Sequence, residues 1–170
     1  MADIRQATTD DVEGLAALAD RRRAQYSRYQ PQLWREAPDA PTVHRRLLAE
    51  IVVDPRVITL VALESGGEVV GFVTARVVQP SPLHAPGGPT GFIDDFTVAR
   101  ADLWSTVGVA LLRAVVVRAA ARQVTQLVVV CGHRDELKRA ALAQAGLGIA
   151  SEWWTASIGQ PLSPTDTAQN

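Results

Sequence analysis

The stretch "VARADLWSTVGVALLRAVVV", residues 98–117, reads as a strand end, a short loop and a helix start. Backbone N–H groups at such a junction point at anions, and the helix dipole favours negative charge there. The loop carries Leu103, Trp104, Ser105 and Thr106, where a phosphate cradle usually has glycine and a cation. Backbone donors survive those substitutions, and Ser105 and Thr106 add hydroxyl donors. The same residues can equally be an ordinary helix start, with Ser105 or Thr106 as N-cap. Just upstream, "FIDDFTVAR" sets Asp94 and Asp95 side by side. On a strand they face opposite sides, Asp94 with Phe92, Phe96 and Val98, Asp95 with Ile93 and Thr97. One carboxylate can therefore face a cleft while the other faces a helix or solvent; both can also be structural or solvated charges. Glu152 is a further carboxylate. Tyr26, Tyr29 and Trp34 lie in a segment stiffened by Pro31 and Pro38. They can line a pocket for a small organic molecule, or clip the segment to the core. Arg21, Arg22 and Arg23 span too many helix directions to form one patch and read as a solvated face. His44, His84 and His133 lack ligand spacing, so no metal site is expected. Cys131, the single cysteine, reads as a small buried hydrophobe ending an apolar strand.

The elements that must position these residues follow from periodicity and turn chemistry. "DIRQA" starts a first strand. "TTDDVEGLAALADRRRAQY" is a helix that Thr9 or Asp10 can cap, and "TVHRRLLAEIVVD" is a second. "RVITLVALES" and "EVVGFVTARVV" are strands joined by a two-residue turn at Gly66-Gly67. "TGFIDDFTVAR" is a third strand of this group, and "STVGVALLRAVVVRAAARQ" a helix. "TQLVVVCG" is an apolar strand, "RDELKRAALAQAG" a helix, and "SEWWTASI" a last strand. The 170 residues are 47% hydrophobic and 21% charged, with a formal net charge of −1. A near-neutral chain lacks the basic face that nucleic acid needs, so no nucleic-acid partner is expected. No disulfide framework is possible with one cysteine. No apolar run reaches the ~20 residues of a bilayer span and no signal peptide is evident, so no membrane partner and a cytoplasmic location are expected. A single domain over 1–159 and a flexible polar tail over 160–170 complete the expectation.

In order and spacing, the chain resembles the GNAT superfamily of acyl-CoA-dependent N-acetyltransferases. The resemblance runs from "IRQATTDDVEGLAALA" to "SEWWTASI" and rests on "VALESGGEVVGFVTARVV", "FIDDFTVAR" and "VGVALLRAVV". It implies an α/β (α+β) fold: a mixed, mostly antiparallel sheet of six or seven strands flanked by about four helices, with a splayed parallel pair ending at Val98 and Cys131. It implies acetyl-CoA as cosubstrate, without a metal. Phe96, Thr97 and Val98 would hold the pantetheine arm; Leu103, Trp104, Ser105, Thr106, Val107 and Gly108 would be the cofactor loop. Only Gly108 matches the family's loop pattern. Asp94 or Asp95 would be the catalytic base, and Tyr26, Tyr29 and Trp34 would roof the substrate site. The family's proton-donating Tyr falls on Leu142, which has no proton to give and reads as core; Asp135 and Lys138 fall on its Asn and Ala. The implied activity is transfer of an acetyl group to a primary amine of a small molecule or a protein, by direct attack. The rival is a catalytically silent acyl-CoA-binding or protein-interaction module. A possible homodimer is expected from Trp153 and Trp154, one of which must find cover outside the core.

Overall fold

The computed structural model describes residues 2–80 and 82–158; the tail expected at 160–170 lies outside them. Strand β1 (Asp3–Gln6) leads through a 3-10 turn at Thr9–Asp11 into helix α1 (Val12–Tyr29). Thr8 caps that turn, in place of Thr9 or Asp10: its N–H donates to Asp11 Oδ2 at 2.7 Å, and Arg5 grips both Asp11 oxygens at 2.7 and 2.8 Å. Helix α2 (Ala40–Val53) follows, with Pro41 in its first turn. Strands β2 (Val57–Leu63) and β3 (Val69–Val78) form the expected hairpin, and Gly67 at φ 82° supplies the turn's left-handed residue. Then come β4 (Thr90–Ile93), β5 (Phe96–Val98), α3 (Val109–Ala120), β6 (Gln126–Val129) and α4 (Glu136–Gln144).

The sheet order is β1-β2-β3-β4-β6, with β5 also on β3. Every pairing is antiparallel except β4 with β6. The outcome, among the described residues, is a mixed, mostly antiparallel sheet of six strands flanked by four α-helices, as expected. Strand alternation sends Ile58, Leu60, Ala62, Val73 and Ala75 to the α3 side and Val61 and Phe72 to the α1/α2 side. Two buried cores result, one on each face of the sheet.

Two further expectations fail. Residues 151–158 form no strand, and Trp153 and Trp154 are 75% and 90% exposed. A strand is stabilised by a paired edge and a buried face, and this segment has neither among the described residues. Second, the helix expected from Ser105 begins earlier. A 3-10 turn at Ala101–Leu103 and a π turn at Trp104–Gly108 run straight into α3, with Arg100 as N-cap. Neither Ser105 nor Thr106 is the cap. The combined run, Ala101–Ala120, spans 20 residues and is long and apolar enough by composition to cross a membrane, which the strand-by-strand reading did not anticipate. Its Leu111, Leu112, Val115 and Ala119 are buried against the sheet.

Candidate active site

A β-bulge makes the site. Phe92 pairs with Arg76, but Phe96 pairs with Val73, so one extra residue is inserted at Asp94-Asp95. The bulge breaks one expected strand into β4 and β5 and resets the alternation: Ile93 and Phe96, three apart, both enter the α3-side core. It also bends the chain away from β6. The parallel pair ends with Val130 N–H donating to Ile93 O at 2.8 Å, and β5 then pairs with β3 alone. The strands expected to be parallel and splayed therefore form a fork that opens beyond the bulge.

Lys138 fills the fork. Its Nζ donates to Phe96 O at 3.1 Å and to Val130 O at 2.9 Å, one carbonyl on each arm. The side chain is fully buried, with the rings of Phe96, Trp104 and Tyr26 at 5.3, 5.6 and 6.0 Å from Nζ. Burial, reinforced by the Arg22 charge, pulls its pKa down to about 7 against the weaker opposing fields of Cys131, Asp135 and Asp95. Asp135 caps α4 through the Lys138 N–H and accepts from the Tyr26 hydroxyl at 2.9 Å. Burial raises the Tyr26 pKa well above its ordinary value, so this hydroxyl stays a hydrogen-bond donor. Burial likewise raises the Cys131 thiol.

The two adjacent carboxylates separate as expected, with the bulge choosing the sides. Asp94 pairs with Arg76 and accepts the Asp95 N–H at 3.0 Å. Asp95 lies under α1 and α2, bonded to Arg22 at 3.1 Å and to His44 Nε2 at 2.9 Å. Arg23 reaches His44 Nδ1 at 2.6 Å. A guanidinium only donates, so Nδ1 accepts and the ring proton sits on Nε2, donating to Asp95. Burial works to raise the Asp95 pKa, but the His44 bond and the Arg22 charge outweigh it and hold the carboxylate below its usual range. Arg22 and Arg23 are thus part-buried partners of this network, not a solvated face.

Beside the fork is a cavity of about 130 Å³, lined by Arg21, Arg22, Gln25, Thr97, Val98, Ala99, Ala101, Trp104 and Asp135. Arg22 Nε is buried there without a hydrogen-bond partner. Of the expected cofactor residues, Thr97, Val98 and Trp104 reach this cavity. Phe96 packs edge-on to Trp104 at 5.0 Å, and Val107 and Gly108 are buried. Leu103 packs on the core, while Ser105 and Thr106 are exposed, their hydroxyls turned back to Asp102 O and Leu103 O at 3.5 Å. A Cβ on Gly108 would lie 2.7 Å from Trp104 Cε3, so the one residue matching the family's loop pattern makes room for an indole. Leu142 packs against the core, as expected. Tyr26 stacks with Trp34 at 4.8 Å and Tyr29 at 5.6 Å, clipping the α1–α2 connection to the fork; only Tyr29 borders a second depression, shallow and open on α1, with Arg21, Ala24, Gln25 and Arg28. The exposed Glu152 stands on the segment that forms no strand.

Sequence reasoning missed Lys138, Arg21, Arg22 and Asp135 as site residues. The signal for Lys138 was present: Asp135, Lys138, Ala141, Leu142 and Ala145 fall on one helical stripe, and all are buried or half-buried.

Known proteins share this architecture. A tetramutant of the BH1408 protein from Bacillus halodurans is 17% identical with a TM-score of 0.79, covering 92% of this chain and 99% of its own. A predicted acetyltransferase with acetyl-CoA from Clostridium acetobutylicum is 16% identical with a TM-score of 0.71, over 93% of this chain and 97% of its own. The aminoglycoside 6'-N-acetyltransferase AAC(6')-Ih from Acinetobacter baumannii is 14% identical with a TM-score of 0.68, over 94% and 100%. No curated protein matches the chain. At these identities the structures speak for the fold, but the sequence pattern of the Acetyltransferase (GNAT) family matches residues 16–149, most of the chain and every strand of the sheet but β1, and the protein belongs to that family.

Proposed function

We propose that the protein is an N-acetyltransferase that moves an acetyl group from acetyl-CoA to a primary amine of a small molecule or protein, by direct attack and without a covalent intermediate. The observation that carries this is the fork with its cavity: Thr97, Val98 and Ala99 on one wall, Arg21 and Arg22 on the other. The residues fit the cosubstrate's anionic end. The cation absent at Leu103 has a counterpart in Arg21, exposed and without a hydrogen bond or ion pair among the described residues, and in the orphaned Nε of Arg22. Asp102 in the first helical turn opposes an anion, so the arginines outweigh the loop as its holders. Asp94 and Asp95 stay the proposed carboxylates of amine deprotonation, Asp95 oriented by Arg22 and His44.

Isothermal titration of the parent and of Arg21→Ala with acetyl-CoA tests the reading. A lost charge-assisted contact of about 1.5–3 kcal/mol should weaken binding roughly ten- to a hundredfold. No binding by the parent would overturn the assignment. A second reading, the silent acyl-CoA-binding module, is favoured by one observation: Lys138 occupies the fork where an acyl arm would enter. Amine-dependent thiol release from acetyl-CoA over many turnovers, across a panel of amines, separates the two, since the silent module binds but sustains no such turnover.

A further inference from the structure

The 17 basic residues are 16 arginines and a single lysine, and that lysine is the group buried in the fork. We propose that Lys138 is an acyl-acceptor site: its Nζ takes the acyl group of a thioester that enters the fork, so that the chain acylates itself there. The proposal rests on the acyl-CoA reading of the cleft.

Geometry supports it in three ways. A neutral amine has two N–H groups and one lone pair, and both N–H groups are accounted for by Phe96 O and Val130 O. Among the described residues no carboxylate forms an ion pair with the nitrogen. The groups that face it are Arg22 and Tyr26 from α1, Asp95 from the bulge, Phe96 and Trp104, and Cys131 and Asp135 from the β6–α4 connection. Of the two acids among them, Asp95 is bonded to Arg22 and His44, and Asp135 to Tyr26 and the α4 backbone. Finally, the cavity is one side chain away, because Trp104 and Asp135 line it and also neighbour Lys138. An arginine in this place would stay charged and could not act as a nucleophile.

The chemistry balances without a further reactant. The Nζ lone pair attacks the thioester carbonyl carbon and the C–N bond forms. The C–S bond then breaks with its electron pair on sulfur, and the proton lost by nitrogen ends on that sulfur as free thiol. The product amide keeps one N–H for two carbonyls, so either Phe96 O or Val130 O loses its partner and the fork cannot close as before. An amide does not pass its acyl group onward, so the step is terminal and self-limiting.

The test is incubation of the full chain with acetyl-CoA, followed by intact mass and peptide mapping, with calorimetric titration in parallel. The expected result is one acetyl group, mapped to Lys138, absent from Lys138→Arg. Its rate should rise about tenfold from pH 6 to pH 8 and then level, following an amine that titrates near 7. A rate still climbing past pH 9, or acetyl found only on the terminal amine, overturns the proposal. Binding of acetyl-CoA without modification of Lys138 also overturns it and leaves the proposed function intact. The acetyl thioester of N-acetylcysteamine separates the remaining case. If it modifies Lys138 while acetyl-CoA does not bind, the acceptor amine stands and the acetyl-CoA assignment falls. If neither donor modifies Lys138, the proposal fails. Trp104→Ala, which opens the cavity wall, should speed modification by the small thioester.

Discussion

At the residue scale, a charge with no ionic partner in a buried fork imposes a pH signature on stability. Lys138 titrates near 7 folded and near 10.4 unfolded, so between those values the unfolded chain binds more protons than the folded one. Stability from this group therefore rises with pH across that window; below it, the buried ammonium costs the fold its full desolvation. Lys138→Met removes the titration and leaves the two carbonyls unpaired at every pH. From pH 7 to pH 9 the parent should gain about 2 kcal/mol relative to Lys138→Met by urea unfolding. A constant difference would show that the lysine titrates normally. Asp11 acts in the same direction in an acidic window. The Arg5 bond holds its carboxyl below the usual value against the opposing effect of burial, so its contribution is present above pH ~4 and lost as pH falls through the lowered pKa. Asp11→Asn should cost about 1–3 kcal/mol at pH 7, because the Arg5 guanidinium loses its charged partner and one of its two acceptor oxygens, an amide NH2 being unable to accept.

At the element scale, the helix entry is built around Trp104. Gly108 has helical backbone angles, so alanine there would gain about 1 kcal/mol from propensity alone. Its Cβ would meet the indole at 2.7 Å, and an aromatic ring wedged against Phe96 cannot slide aside. Gly108→Ala should therefore destabilise by about 1–3 kcal/mol. In a Trp104→Leu background the same change should become neutral or favourable; destabilisation in both backgrounds would assign Gly108 to something other than the indole. The contrast explains what the sequence showed and hid. The β2–β3 hairpin, the helices and the order of strands were legible, because period and turn chemistry are local. The bulge was not, since one inserted residue is visible only in the register against β3. Nor was the failed strand at 151–158, because a strand needs a partner that local pattern does not supply. Lys138 lay on a readable apolar stripe, but a charge on such a stripe is ordinarily assigned to solvent; its burial depends on how β5 and β6 diverge. Arg22 was hidden for the same reason, its partner Asp95 being 73 residues away.

At the scale of the whole molecule, the apolar surface is uneven. Trp153 at 75%, Trp154 at 90%, Ile149 at 72% and Ile158 at 100% exposure crowd one short segment. Strand β6 ends the sheet, pairing with β4 on one side and with no strand on the other among the described residues. An uncovered edge and a run of exposed rings are each liabilities that a soluble chain resolves by cover. The exposed rings are covered if a second copy seats on them, with the tryptophans as the buried centre of the contact, where aromatic side chains contribute most. We expect a homodimer, and light scattering across a dilution series should show it. Replacing Trp153 and Trp154 together by Asp should shift the mass to that of one chain while leaving the unfolding midpoint of the isolated chain unchanged, since neither ring contributes to either core. A parent that scatters as one chain at high concentration removes the dimer. A double variant that stays paired moves the contact away from the tryptophans, to another face of the sheet or helices.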